Sequence, residues 1–225
     1  MKQKMTLAQR VNILRAGVMG ANDGILSVAG IVVGVAGATT NSFSILISGL
    51  AGMLAGTISM AMGEYVSVNT QKDSQKMAIQ HQKQALADDY DAEAKMVTDK
   101  YVELGISEPL AQQATKEMMA DNALGTTVRE RYGFNPSEFI SPYAAGIASM
   151  IAFPTGSILP LVSITCFPPK IKVIATVIAV AIALSITGYV AAVLGNANRK
   201  HGVMRNVVSG LLTMVVTYFI GRLFA

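Results

Sequence analysis

Two carboxylates, Asp23 and Glu64, stand alone inside long apolar stretches, while the other twelve of the fourteen acidic residues fall between Asp73 and Glu138. A carboxylate near the middle of a bilayer costs about 2.5–3.5 kcal/mol on insertion scales. Acids retained at that cost bind cations, carry protons, or do both. Asp23 lies in Ala16-Gly17-Val18-Met19-Gly20-Ala21-Asn22-Asp23-Gly24. If hydrocarbon begins at Ala16, Asp23 is about 10 Å deep in a helix rising about 1.5 Å per residue. Glu64 ends a second pattern, in which Met53, Thr57, Met60 and Glu64 follow i, i+4, i+7, i+11 spacing and share one helix face. Thioethers favour softer transition metals and carboxylates suit harder ones such as Mn²⁺. Asp23, Met60 and Glu64 together suit Fe²⁺ or Mn²⁺ and offer little to an organic substrate. No basic residue lies deep enough in the spans to neutralise the two acids. A desolvated carboxylate holds a proton or a metal ion in turn, so the two cations compete, which is a physical basis for proton-coupled exchange.

These residues need elements that place them in a membrane. Of the 225 residues, 52% are hydrophobic and 14% charged, which excludes an ordinary soluble domain. Apolar runs cover 14–38, 43–70, 143–167, 171–195 and 203–224, each near the roughly 20 residues that cross about 30 Å of hydrocarbon. No stretch alternates as a barrel strand would. The expected fold is all-α and polytopic, embedded in a lipid bilayer. Residues 1–70 carry spans one and two, 71–141 form a helical insert, and 142–225 carry spans three to five.

The first run contains Asp23, exceeds the apolar core of a signal peptide and is followed by four more, so it is expected to be retained. The short chain without targeting extensions leans bacterial, which would place it in a plasma membrane. Lys2, Lys4, Arg10 and Arg15 precede the first span, and Arg199, Lys200 and Arg205 lie between the fourth and fifth. The positive-inside rule then puts the N-terminus, the insert and the 196–202 loop in the cytoplasm, against the weight of Lys170 and Lys172 on the outer side.

Gly20 with Gly24, and Gly30 with Gly34, are small-xxx-small pairs that let helices approach closely. The second pair reads as packing, and the first would bring Asp23 against another helix or its symmetry mate. Pro154 and Pro160 kink the third span as a gate or as packing. The fourth and fifth spans read as scaffold. His81 and His201 lack a metal-spaced partner, and the single Cys166 excludes an internal disulfide. The net charge of +4 is scattered, so no nucleic-acid partner is expected. With no His-Glu-x-x-His pattern, Gly-x-Ser-x-Gly elbow or phosphate loop, an enzyme is not expected either.

The insert holds eight Lys/Arg against twelve Asp/Glu, an excess that attracts cations weakly or simply keeps the surface solvated. Its first helix, 71–88, continues from the second span. Its second, 91–104, puts Met96, Val97, Tyr101 and Leu104 on one face and stops at Gly105. A third begins with Ser107 as N-cap and Pro109 in the first turn, and buries Leu110, Ala114, Met118 and Met119. Gly125, Gly133 and Pro136 mark a looser return to the membrane.

The chain resembles the vacuolar iron transporter family along essentially its whole length. The resemblance rests on Asn22-Asp23-Gly24, on Gly49-Leu50-Ala51 through Ile58-Ser59-Met60, on Gly156 to Leu161, and on five spans with an insert after the second. It implies a homodimer that exports Fe²⁺ or Mn²⁺ from the cytoplasm by proton antiport. The path would run between the two copies of spans one and two, with Asp23 as the intramembrane aspartate, Met60 as the pore methionine and Glu64 as the acid near the cytoplasmic mouth. The metal is cargo, and no resident cofactor is implied. The family's insert is often rich in glutamate and binds several metal ions. Here the corresponding helix carries Gln71, Gln75, Gln80, Gln82 and Gln84, and an amide is a weaker ligand than a carboxylate for a hard dication. Asp88, Asp89, Asp91 and Glu93, with Met118 and Met119, are the remaining candidates. The insert is therefore expected to bind metal weakly or not at all. The alternative reading is a metal sensor or membrane scaffold of the same fold with little transport.

Overall fold

The computed structural model describes residues 7–225, so Lys2 and Lys4, used above for orientation, lie outside it. Among the described residues the chain is all-α. The helices are α1 (Leu7–Ala38), α2 (Ser42–Asp88), α3 (Tyr90–Glu103), α4 (Glu108–Tyr132), α5 (Pro142–Cys166), α6 (Lys172–Leu194) and α7 (Arg199–Arg222). Five of them, α1, α2, α5, α6 and α7, contain stretches long and apolar enough to cross a membrane. The protein is thus a multi-pass membrane protein. Contacts divide the chain into two units, one of Leu7–Val66 with Ser141–Ala225 and one containing Ser67–Ile140, and α2 contributes to both.

In the first unit α1 is the central helix and packs against α5, α6 and α7. Val28, Val32 and Val33 of α1 are fully buried with Phe153 of α5, Leu184 of α6 and Met214 of α7. The tightest crossing is between α1 and α5. A Cβ on Gly24 would stand 2.1 Å from the Phe153 carbonyl oxygen, and one on Gly156 would stand 2.1 Å from that of Ala21. Each glycine therefore admits the other helix's backbone. Gly30 and Gly34, read above as packing residues, meet Thr213 and Thr217 of α7. Outward-facing positions are apolar, as at Ile174, Ile178, Ile182 and Ile186, which repeat every helical turn of α6 and stay exposed in the protein alone. Such a strip calls for lipid rather than water.

One sequence reading changes here. Lys172 is not a free loop charge, because it is buried at the start of α6 and donates from Nζ to the Thr40 carbonyl at 3.3 Å. It secures the α1–α2 connection. The helix α5 runs without interruption through Pro154 and Pro160. Between them the Ser157 hydroxyl is shared by the carbonyls of Phe153 (2.8 Å) and Gly24 (3.2 Å).

In the second unit α3 and α4 pack together. The α3 helix ends as expected near Gly105, whose φ is +91°. The N–H groups of Gly105 and Ile106 donate to the Val102 and Tyr101 carbonyls, closing a Schellman motif. Leu104, expected on the packed face with Val97, is instead 70% exposed at the cap. The register of α4 also differs by one position. Leu110 is exposed, and Ala111, Thr115 and Met119 are buried in its place, because Pro109 and Leu110 sit in the open first turn. The looser return expected at Gly125 is helix up to Tyr132, broken only at Asn122, whose φ and ψ are −153° and 81°. Asn122 restarts the helix as an N-cap, with its Oδ1 accepting from the Gly125 N–H at 2.8 Å.

Candidate metal site

Successive helix residues point about 100° apart, and the Asn22-Asp23-Gly24 triplet uses all three directions. The Asn22 Oδ1 accepts from Thr187 Oγ1 of α6 at 3.2 Å and from Asn206 Nδ2 of α7 at 2.9 Å. Gly24 lies on the backbone of α5. Asp23 falls between these contacts, half-buried, with Oδ1 accepting from Ser27 Oγ one turn on at 2.8 Å. That is its one side-chain hydrogen bond among the described residues. Asp23 thus stands on a helix fixed on two sides while its carboxylate is held only by its own helix.

On α2 the expected stripe is present. Met53, Thr57, Met60 and Glu64 are all half-buried, alternating with the exposed Leu54, Ile58 and Met62. Met53 and Met60 pack against the core, and Thr57 donates to the Met53 carbonyl at 2.7 Å. The Glu64 carboxylate, 12% exposed, accepts from Arg15 Nη2 of α1 at 2.5 Å. Arg15 also reaches the Met19 sulfur at 3.6 Å. This corrects the reading that no basic group neutralises the intramembrane acids. Arg15 lies within α1 rather than before it, and its long side chain gives Glu64 a counter-charge.

The Arg15–Glu64 pair also fixes how α1 and α2 are aligned. It shares one antiparallel register with the approaches of Ile31 to Gly52 and of Val32 to Gly49. That register sets Asp23 level with the turn Gly56–Met60. Glu64, Met60 and Asp23 therefore follow one another along the helix pair, Glu64 about one turn from Met60 and Asp23 about half a turn further, with Arg15 at the Glu64 end. A carboxylate, a thioether and a carboxylate in that order can coordinate a divalent transition metal or relay it.

The acidic candidates of the insert are occupied differently. Asp89 caps α3 by accepting from the Ala92 N–H at 2.9 Å, and Asp88 accepts from Gln84 Nε2 at 2.8 Å. Glu93 is buried and accepts from Gln82 Nε2 at 2.6 Å and Arg131 Nη2 at 3.0 Å. The Met118 sulfur receives the Tyr101 hydroxyl and Arg129 Nη2, each at 3.8 Å. Burial pushes the Tyr101 phenol up, and the Glu130 carboxylate beside it adds to the effect. Burial also opposes ionisation of Glu130, but hydrogen bonds from Arg129 and Tyr101 and the charges of Arg129 and Lys100 outweigh it, so its pKa is lowered. Among the described residues no three His, Cys, Asp or Glu side chains converge as a metal cage would need.

Sequence reasoning had weighed Arg15 only as a flanking charge and had passed over Ser27 and Asn206. Ser27 was legible as the i+4 neighbour of Asp23. Arg15 was legible as a cation at the head of an apolar run, but its partner forty-nine residues away was not.

Known proteins are similar to this chain over nearly its whole length. A vacuolar iron transporter of Acanthamoeba castellanii is 34% identical over 223 residues, covering 99% of this chain and 82% of that protein. Two proteins of Oryza sativa subsp. japonica are also similar. The vacuolar iron transporter homolog 2 is 32% identical, covering 96% of this chain and 93% of its own length. The homolog 5 is 33% identical, covering 98% and 85%. The sequence model of the VIT family matches residues 14–222, which include Asp23, Met60, Glu64 and all five spans. This chain belongs to the VIT family.

Proposed function

We propose that this protein exports Fe²⁺, Mn²⁺ or both from the cytoplasm in exchange for protons, using Glu64, Met60 and Asp23 in that order. As a VIT family member the chain is a metal transporter rather than an enzyme, and its relatives' names favour iron. The observation that carries the reading is the common register of α1 and α2. It sets the two isolated carboxylates and the inward thioether along one helix pair, with Glu64 nearly out of solvent. Competition between proton and metal at the same oxygens supports antiport over simple leakage.

A homodimer completes the proposal. The face of α2 carrying Phe43, Ile47, Leu54, Ile58, Met62 and Val66 is apolar and exposed in the single chain. It runs beside the metal stripe, so a second copy there would enclose the path between two α1–α2 pairs. With the N-terminus and insert cytoplasmic, Glu64 takes ions from the cytoplasm. In a bacterial cell the membrane is the plasma membrane. The test is uptake of each metal into proteoliposomes across an imposed pH gradient. Wild type should accumulate metal as protons leave, and Asp23→Asn should not. Undiminished, proton-coupled uptake by Asp23→Asn would refute the site.

A further inference from the structure

We infer that the groove between α1, α6 and α7 binds the phosphate headgroup of an anionic membrane lipid through Arg15 and Arg205. A cavity of about 410 Å³ lies there, lined by these two arginines, by Asn22 and Asn206, and by apolar residues including Val18 and Leu194. A second cavity, of about 930 Å³, shares Arg205 and continues along α7 past Val208 and Leu212. No Asp or Glu lines either one. Arg205 is exposed and has no ion pair or hydrogen bond among the described residues. Asn22 uses its carbonyl oxygen on Thr187 and Asn206, which leaves its amide N–H groups as donors.

Depth and shape select the occupant. Arg15 is six residues into the apolar stretch that begins at Gln9, and Arg205 is six residues into α7. Arg15 is thus about 9 Å past Gln9 and Arg205 about 9 Å along α7, from where a long side chain reaches headgroup level. Two cations over an apolar trough match a phosphate joined to an acyl chain. A soluble anion has no use for Val208 and Leu212. The site also touches the proposed path, because a lipid phosphate and Glu64 compete for the Arg15 guanidinium. Bound lipid would loosen the pair and open Glu64 to metal. That consequence rests on the function proposed above, whereas the lipid site does not.

Native mass spectrometry of the full-length protein in detergent tests the site with phosphatidylglycerol, phosphatidylcholine of the same chains, and inorganic phosphate. Wild type should retain phosphatidylglycerol about tenfold better than phosphatidylcholine, Arg205→Gln should lose that preference, and Arg205→Lys should keep part of it. Thermal unfolding in neutral detergent checks that the variants are folded. Equal retention of the two lipids, full preference in folded Arg205→Gln, or displacement of the lipid by millimolar inorganic phosphate would overturn the proposal. Asp23→Asn should bind phosphatidylglycerol like wild type. Lipid selectivity without metal uptake by any form would leave this site standing and remove the transport reading instead.

Discussion

Replacing Arg15 by Met should make the protein bind its metal more tightly. Methionine keeps most of the apolar stem while removing the charge that occupies Glu64. The Nη2–Oε1 distance is 2.5 Å, with Arg15 49% and Glu64 12% exposed. Unit charges about 4 Å apart attract by about 4 kcal/mol at an effective dielectric near 20. A half-exposed arginine keeps only part of that, since fully exposed pairs measure about 0–1 kcal/mol. A net 1–2 kcal/mol, as a rough middle value, corresponds to about a five- to thirtyfold change in affinity. The apparent KM for Mn²⁺ or Fe²⁺ in proteoliposomes should fall by that factor, and more so at low ionic strength. Glu64→Gln should raise KM, and adding Arg15→Met to it should give little further change, because the two substitutions act through one contact. A folded Arg15→Met protein with unchanged or higher KM would show that the arginine does not compete with the ion.

Other perturbations reach the supports of the site. Gly24→Leu should abolish folding in detergent, and Gly24→Ala should cost at least about 1–3 kcal/mol through overpacking against Phe153, read as a lower unfolding temperature. Asn22→Leu strands the Asn206 amide while the Thr187 hydroxyl keeps the Leu184 carbonyl at 3.3 Å, so it should lower stability by about 0.6–1.7 kcal/mol, the range for one intramembrane hydrogen bond. A normal unfolding temperature would show the knot to be dispensable. Glu130 has a folded pKa below its ordinary value, so its contribution is full above the ordinary carboxylate range and is lost as pH falls through the lowered value. The near-ultraviolet tyrosine signal should report acid loosening around Tyr101, and Glu130→Gln should remove that pH dependence while lowering stability at neutral pH. Glu93→Gln should lower stability without changing the number of metal ions bound to the full chain by calorimetry, because Glu93 is held by Gln82 and Arg131. Loss of several bound ions would make the insert a metal store after all.

The membrane helices were legible because hydropathy and backbone hydrogen bonding leave few alternatives in lipid. The stripe from Met53 to Glu64 was legible for a similar reason, since spacing on one helix fixes a face. Contacts between helices were not. Nothing local to Arg15 names Glu64 as its partner, and nothing local to Lys172 says that it will be buried against Thr40. Both lysine and arginine carry stems long enough to reach across helices, so their position in the chain does not fix where their charge ends up. In the insert the errors were a residue wide. Leu110 and Leu104 are the more apolar choices, but each stands in a terminal turn, where the backbone turns the side chain away from the partner helix.

The glycine crossings around α1 restrict how this machine can work. With Gly24 and Gly156 each seated on the opposite backbone, and Gly221 likewise seated on the Gly34 carbonyl, the helix is keyed into its neighbours like a tongue in a slot. It can neither slide nor roll without prising the joint apart. The α2 glycines are wedged as well, Gly52 against Ile31 and Gly56 against Phe153, but against side chains that can rotate, so a shift of α2 over α1 and α5 costs less than one of α1 over the backbones of α5 and α7.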